Sequence, residues 1–154
     1  MNEIQKHTVN RMNELGASGQ PFVFVIDFDF SNPLIFEPGD SSLLMWKTPD
    51  SGNYSAVDIP GRQVQWNIDP VDFGQYQKAF CTVQHHIHAG DTYLLNLTMP
   101  TRVKTNLTSE EIFHRSDAPY KIWLKNQFVC FSPEIFVRIN DGIISSFPMK
   151  GTIS

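Results

Sequence analysis

The chain has 154 residues, 41% of them hydrophobic, with 12 Phe and a net charge of −4. That composition suits one ordinary domain with a sizeable core and excludes a disordered chain. No basic stripe points to nucleic acid, and no apolar run is long enough for a signal peptide or a membrane span, so a cytoplasmic protein is expected.

Along the chain, residues 3–15 read as a short helix. Ile4, Val9, Met12 and Leu15 lie near one face, and Gly16 is a stop signal. Phe22–Ile26, within Pro21–Phe28, reads as a buried strand, being short, aromatic and β-branched. Pro33, Pro38-Gly39 and Asp50–Asn53 punctuate a loop-rich stretch with short strands between. Residues 72–89 give the clearest helix, with Phe73, Tyr76, Phe80, Val83 and Ile87 at three- and four-residue steps. Asp72 with Gln75 has the form of a capping box, and Gly90 that of a C-terminal stop.

A strand is expected at Thr92–Pro100. Thr108-Ser109-Glu110-Glu111 is a second capping box, opening a helix to about Arg115. Beyond Pro119 the pattern is of strands: Tyr120–Leu124, Phe128–Phe131, Ile135–Ile139 and Ile143–Phe147. Asn140-Asp141-Gly142 joins the last two as a hairpin. The fold class is α+β, with a mostly antiparallel sheet. That sheet is expected to contain Phe22–Ile26, Thr92–Thr98 and the last hairpin, with the long helix packed on it. Cys81 and Cys130 are read as small buried hydrophobes rather than a disulfide framework. Three matches to the glycosylation pattern, at Asn53, Asn96 and Asn106, are read as chance.

Two residues near the end could carry chemistry. Lys150 leaves a strand between the apolar Met149 and Gly151. A lysine becomes a nucleophile when burial or nearby cations lower its pKa. Gly151 would let the backbone approach a ligand closely, and Thr152 offers a hydroxyl and an N–H to a carboxylate. Glu134 stands where the first strand of the hairpin begins. The return strand brings the chain back towards that end, so Glu134 and Lys150 could form an acid/base and nucleophile pair. The plainer reading is a solvated lysine on a turn and a surface ion pair of small worth. His85, His86 and His88 invite a metal reading. Their spacings of one, two and three put only His85 and His88 on one helix face, which favours a structural role.

Three segments, Gly90–Thr98, Phe131–Glu134 and Phe147–Thr152, in this order and spacing resemble the chorismate-binding enzymes. Members carry Gly-Asp-x-Tyr-Gln-Val-Asn-Leu. Gly90, Asp91, Tyr93, Asn96 and Leu97 match it, and Leu94 replaces the Gln. The family's Ser-Pro-Glu-Arg-Phe stands here as Ser132, Pro133, Glu134, Ile135 and Phe136, without the Arg. Its Pro-Ile-Lys-Gly-Thr stands as Pro148, Met149, Lys150, Gly151 and Thr152. The lysine points to the branch called aminodeoxychorismate synthase component I. The anthranilate- and isochorismate-forming branches carry Ala there.

The resemblance implies that Lys150 attacks ring carbon 2 of chorismate and that Glu134 assists departure of the carbon-4 hydroxyl. It places Gly151 and Thr152 in the substrate-binding site. It also implies a magnesium ion, with glutamate ligands beyond Ser154, and a glutamine amidotransferase subunit supplying ammonia for folate synthesis. The 154 residues are then the N-terminal portion of one chorismate-binding domain. Such a portion is expected to be inactive alone and to leave sheet surface open to homo-association. A non-catalytic ligand-binding module that kept the fold is the alternative from another class.

Overall fold

The computed structural model describes residues 1–57, 59, 61–132, 135 and 137–147. Its elements are α1 (Glu3–Ala17), β1 (Val23–Val25), β2 (Leu34–Phe36), β3 (Leu44–Lys47), β4 (Trp66–Asp69) and α2 (Phe73–Ala89). β5 (Arg102–Thr105), α3 (Ser109–Arg115), β6 (Lys121–Leu124), β7 (Phe128–Phe131), β8 (Val137–Asn140) and β9 (Ile143–Ser146) follow. The class is α+β, and every strand pair among the described residues is antiparallel. The described residues fall into two compact units, one from Met1–Ile59 with Ser109–Ser154, the other from Pro60–Thr108.

The core of the first unit is a row across one sheet. In the order β3-β6-β7, Met45 pairs with Trp123, and Trp123 with Val129, so the three share a face. The helix α3 covers that face and inserts Phe113, which is fully buried. Tyr54 meets the Phe113 ring edge-on at 4.9 Å. The Trp123 indole N–H, buried with its ring, donates to the Ser109 hydroxyl at 2.9 Å. One residue over, Leu44 and Leu124 point to the opposite face and are also buried. Asn53 ties the β3 region together. Its side-chain oxygen accepts from the Trp46 N–H, and its amide donates to the carbonyls of Asp40 and Leu44. The Ser42 hydroxyl and N–H hold the exposed Asp40 carboxyl below its ordinary pKa.

Lys121 has its ammonium inside this unit. Nζ donates to the carbonyls of Phe113 and Ser116, both at 2.8 Å. It also sits over the Phe113 and Tyr54 rings, at 4.5 and 4.7 Å from their centroids. These carbonyls belong to the last turn of α3 and the residue after it, where the helix dipole favours a cation. Lys121→Met keeps the apolar stem and removes the donor. It is expected to cost about 1.5–3 kcal/mol, the usual range for hydrogen bonds of charged groups. Urea unfolding of the variant checks this, and an unchanged midpoint would remove the ammonium as a fastening.

α1 runs one residue past Gly16. Ser18 caps it, and Gly19 takes the left-handed turn at φ 65°. Its start is a capping box, with Asn2 and Gln5 exchanging backbone N–H bonds; the Gln5 amide also reaches the Phe30 carbonyl. β1 forms within Phe22–Ile26, paired with β2, but it is not the buried strand expected: Val23 and Val25 are half-buried, and Phe24 and Ile26 are exposed. Among the described residues the single sheet expected from the sequence is instead four separate ones, β1-β2, β3-β6-β7, β4-β5 and β8-β9. Thr92–Pro100 is not a strand. No neighbouring strand among the described residues offers it hydrogen bonds, and an extended segment becomes a strand only by pairing. The cysteine reading is also corrected, since both Cys81 and Cys130 are exposed.

In the second unit, β4 and β5 pair from Trp66↔Thr105 to Asp69↔Arg102. Asn106 closes that ribbon by accepting from the Gln65 N–H and donating to the Gln63 carbonyl. α2 begins at Asp72, whose side chain accepts from the Gln75 N–H, and ends at Gly90 with φ 81°. The Gly90 N–H bonds back to the last turn of the helix. The expected packing of α2 on a sheet is not found. None of its residues is buried, and Phe73, Tyr76 and Phe80 are exposed.

Candidate active site

The hairpin β8–β9 is the described part of the candidate site. Val137↔Ser146 pairs its open end and Asn140↔Ile143 its closed end. Asp141 and Gly142 both have positive φ, 50° and 76°, which is the two-residue hairpin turn that Asp-Gly favours. The Arg138 guanidinium lies over the Phe147 ring, 5.7 Å from its centroid. Val137 and Arg138, with Tyr120 and Asp50, help line a polar cleft of about 460 Å³ beside the hairpin.

Glu134 stands three residues before Val137, and Lys150 four after Ser146. Glu134, Lys150, Gly151 and Thr152 all lie outside the described residues, as do Pro133, Phe136, Pro148 and Met149. What is described of this pair is the hairpin that separates them in sequence.

The Gly90–Thr98 segment leaves α2 through the Gly90 turn. Asp91 Oδ2 lies 2.7 Å from His86 Nδ1, and the Asp91 N–H donates to the His86 carbonyl. Tyr93 and Leu94 are largely exposed. His88 Nδ1 is 2.7 Å from the Gln84 carbonyl, and the His85 and His86 rings meet edge-on at 5.5 Å. The three histidines thus make local contacts rather than converge. Among the described residues no three His, Cys, Asp or Glu side chains are grouped to hold a metal ion. None of the described helices is long and apolar enough to cross a membrane.

Sequence reasoning missed a cleft of about 750 Å³ between α1 and the β1–β2 hairpin. Thr8, Arg11 and Leu15 line one side, and Phe22, Leu34 and Phe36 the other. Arg11 is also 3.4 Å from Glu14 on its own helix. No short motif marks this cleft, because a helix and a hairpin make it jointly.

Residues 52–154 match the family described as chorismate binding enzyme. That is well over half of the chain, and the chain belongs to this family. An uncharacterized PabA-like protein of Haemophilus influenzae is 43% identical over 151 residues, which is 97% of this chain and 46% of that relative. A PabA-like protein of Pasteurella multocida, also uncharacterized, is 36% identical over 94% of this chain and 46% of its own length. Aminodeoxychorismate synthase component 1 of Salmonella typhimurium is 29% identical over 86 residues, 51% of this chain and 19% of the enzyme. No solved structure matches. The chain therefore spans about half the length of the first two relatives.

Proposed function

We propose that the full-length protein is an aminodeoxychorismate synthase component I, which aminates chorismate at carbon 4. The observation that carries this is the lysine in Pro148-Met149-Lys150-Gly151-Thr152, where anthranilate- and isochorismate-forming relatives carry Ala. The likeness to the Salmonella enzyme supports the same branch. In this reading the Lys150 amine attacks carbon 2, and the ring double bond shifts as the carbon-4 hydroxyl leaves. Glu134 gives that hydroxyl its proton, so it departs as water. Ammonia from a glutamine amidotransferase subunit adds at carbon 4, the double bond shifts back, and Lys150 is expelled. Gly151 and Thr152 hold a substrate carboxylate through backbone N–H and hydroxyl groups. Splitting one difficult substitution into two easier ones is the general advantage of a covalent intermediate.

The reading includes the family's magnesium ion. Under this proposal its ligands are glutamates beyond Ser154, where a hard cation would meet oxygen donors. The product feeds cytoplasmic synthesis of 4-aminobenzoate and folate.

The test is product analysis on the full-length protein with chorismate, ammonia and magnesium. 4-Amino-4-deoxychorismate is the expected product, and anthranilate or isochorismate would overturn the branch. The 154-residue chain alone is expected to give none. Binding energy from half of a site does not replace the groups that act in the transition state. Turnover by the purified chain, abolished by a chelator, would show that this half is sufficient.

A further inference from the structure

We propose that Arg138 is a positioning residue for the Lys150 chemistry, holding the exit of β9 against the sheet through Tyr120. The inference rests on the amination reading and adds a residue that reading does not use. Among the described residues β8 and β9 pair only with each other, and every residue of the two is exposed. A two-stranded hairpin by itself is marginal in water, so contacts at its open end decide how its arms lie. Arg138 makes such contacts. Its partner across the hairpin is Ser145, and Phe147 stands two residues further on, which puts Arg138 and Phe147 diagonally across one face. The guanidinium lies 5.7 Å from the Phe147 ring centroid, inside cation–π range. Its Nη2 also reaches the Tyr120 hydroxyl, at 3.5 Å.

Tyr120 is the fixed end of this chain of contacts. It directly precedes β6, and the next residue, Lys121, pairs with Phe131 and carries the ammonium bonded to two carbonyls. The Tyr120 carbonyl accepts from the Ser132 N–H at 2.7 Å. Ser132 has φ 45°, a left-handed conformation that a residue other than glycine keeps only when its surroundings hold it. Tyr120 thus grips both arms of the hairpin. Its carbonyl holds the entry through Ser132, and its hydroxyl the exit through Arg138 and Phe147. Lys150 follows Phe147 by three residues. Pro148 comes directly after Phe147 and confines the Phe147 backbone to extended conformations, so holding the ring also sets the direction in which the chain leaves β9. A reacting group displaced by about 1 Å can lose on the order of a hundredfold in rate, so a contact this far from the chemistry is enough to matter.

Steady-state kinetics of the full-length protein with chorismate, ammonia and magnesium test this. Arg138→Met keeps the stem and removes the guanidinium. It should lower kcat by about tenfold to a hundredfold and leave KM for chorismate within about twofold. Arg138→Lys keeps a cation over the ring and should recover most of that rate. Phe147→Leu should cost about as much as Arg138→Met. The double Arg138→Met/Phe147→Leu should cost no more than either change alone, since the two side chains act as one contact. Because Arg138 works through Lys150, Lys150→Ala with Arg138→Met should match Lys150→Ala alone, whereas a general weakening of the fold would lower the residual rate again. Such a further loss would overturn the positioning role. Full activity of Arg138→Met beside a disabled Lys150→Ala would also overturn it, and would leave the amination reading standing. Full activity of Lys150→Ala would overturn the amination reading, and the positioning role with it.

Discussion

Phe113→Ala is expected to lower the stability of the first unit by about 3–5 kcal/mol, the usual cost of emptying a buried Phe site. Phe113 is fully buried, and its ring meets Met45, Trp123 and Tyr54. The site has little room to collapse. Met45, Trp123 and Val129 are fixed by strand register, and Trp123 is further held by its bond to Ser109. The same ring forms part of the surface that the Lys121 ammonium faces, so its loss also exposes a buried cation. Small domains hold only about 5–15 kcal/mol in total, so this one change removes a large share. Urea unfolding followed by Trp fluorescence checks it. Phe28→Ala is the control. That side chain is fully exposed, and the change should stay within about 0.5 kcal/mol. Equal effects from the two would mean that the packing of α3 on β3-β6-β7 is not the core.

The contrast between those two phenylalanines shows what could be read in the sequence. Locally closed features were legible. Asp72 and Gly90 bound α2, Ser109–Arg115 forms a helix, and Asp141-Gly142 makes the tight turn. Each depends on residues within a few positions of one another. Which Phe is buried depends instead on pairing at long range. β3 meets β6 although more than seventy residues separate them, and β4 meets β5 across α2. Nothing in Trp66–Asp69 or Arg102–Thr105 marks them as partners, so neither strand was anticipated. Buried Lys121 escaped for the same reason, since its acceptors are carbonyls and its walls are rings from other segments. Thr92–Pro100 has the residues of a strand but, among the described residues, no neighbour to pair with. The candidate site was legible differently, through the spacing of short motifs. Asp91 and Tyr93 are placed, whereas Glu134 and Lys150 lie outside the described residues.

Lys150→Ala in the full-length protein is expected to reduce 4-amino-4-deoxychorismate formation by roughly a thousandfold or more, as loss of a covalent nucleophile does elsewhere. The proposed chemistry makes a specific demand on this side chain. An ammonium has no lone pair, so attack on carbon 2 needs the free amine, against a reference pKa of about 10.4. Desolvation or neighbouring cations in the assembled site must therefore favour the neutral form. Raising the pH fills the nucleophilic state, so the rate of the wild-type protein should climb with pH through the neutral range until the amine is free. An Ala variant has no such group, and its residual rate should lose that climb. Glu134→Gln removes the proton donor and leaves the nucleophile in place. It should slow departure of the carbon-4 hydroxyl by about 10²–10⁴-fold, the span of general acid catalysis. In such a variant the covalent adduct is not expected to accumulate, since attack and departure are coupled through one shifting double bond. Rate measurements across pH on the three proteins, with product identification, separate the two roles. Full activity of Lys150→Ala would remove the lysine as nucleophile, and with it the reason for choosing this branch over the anthranilate-forming one.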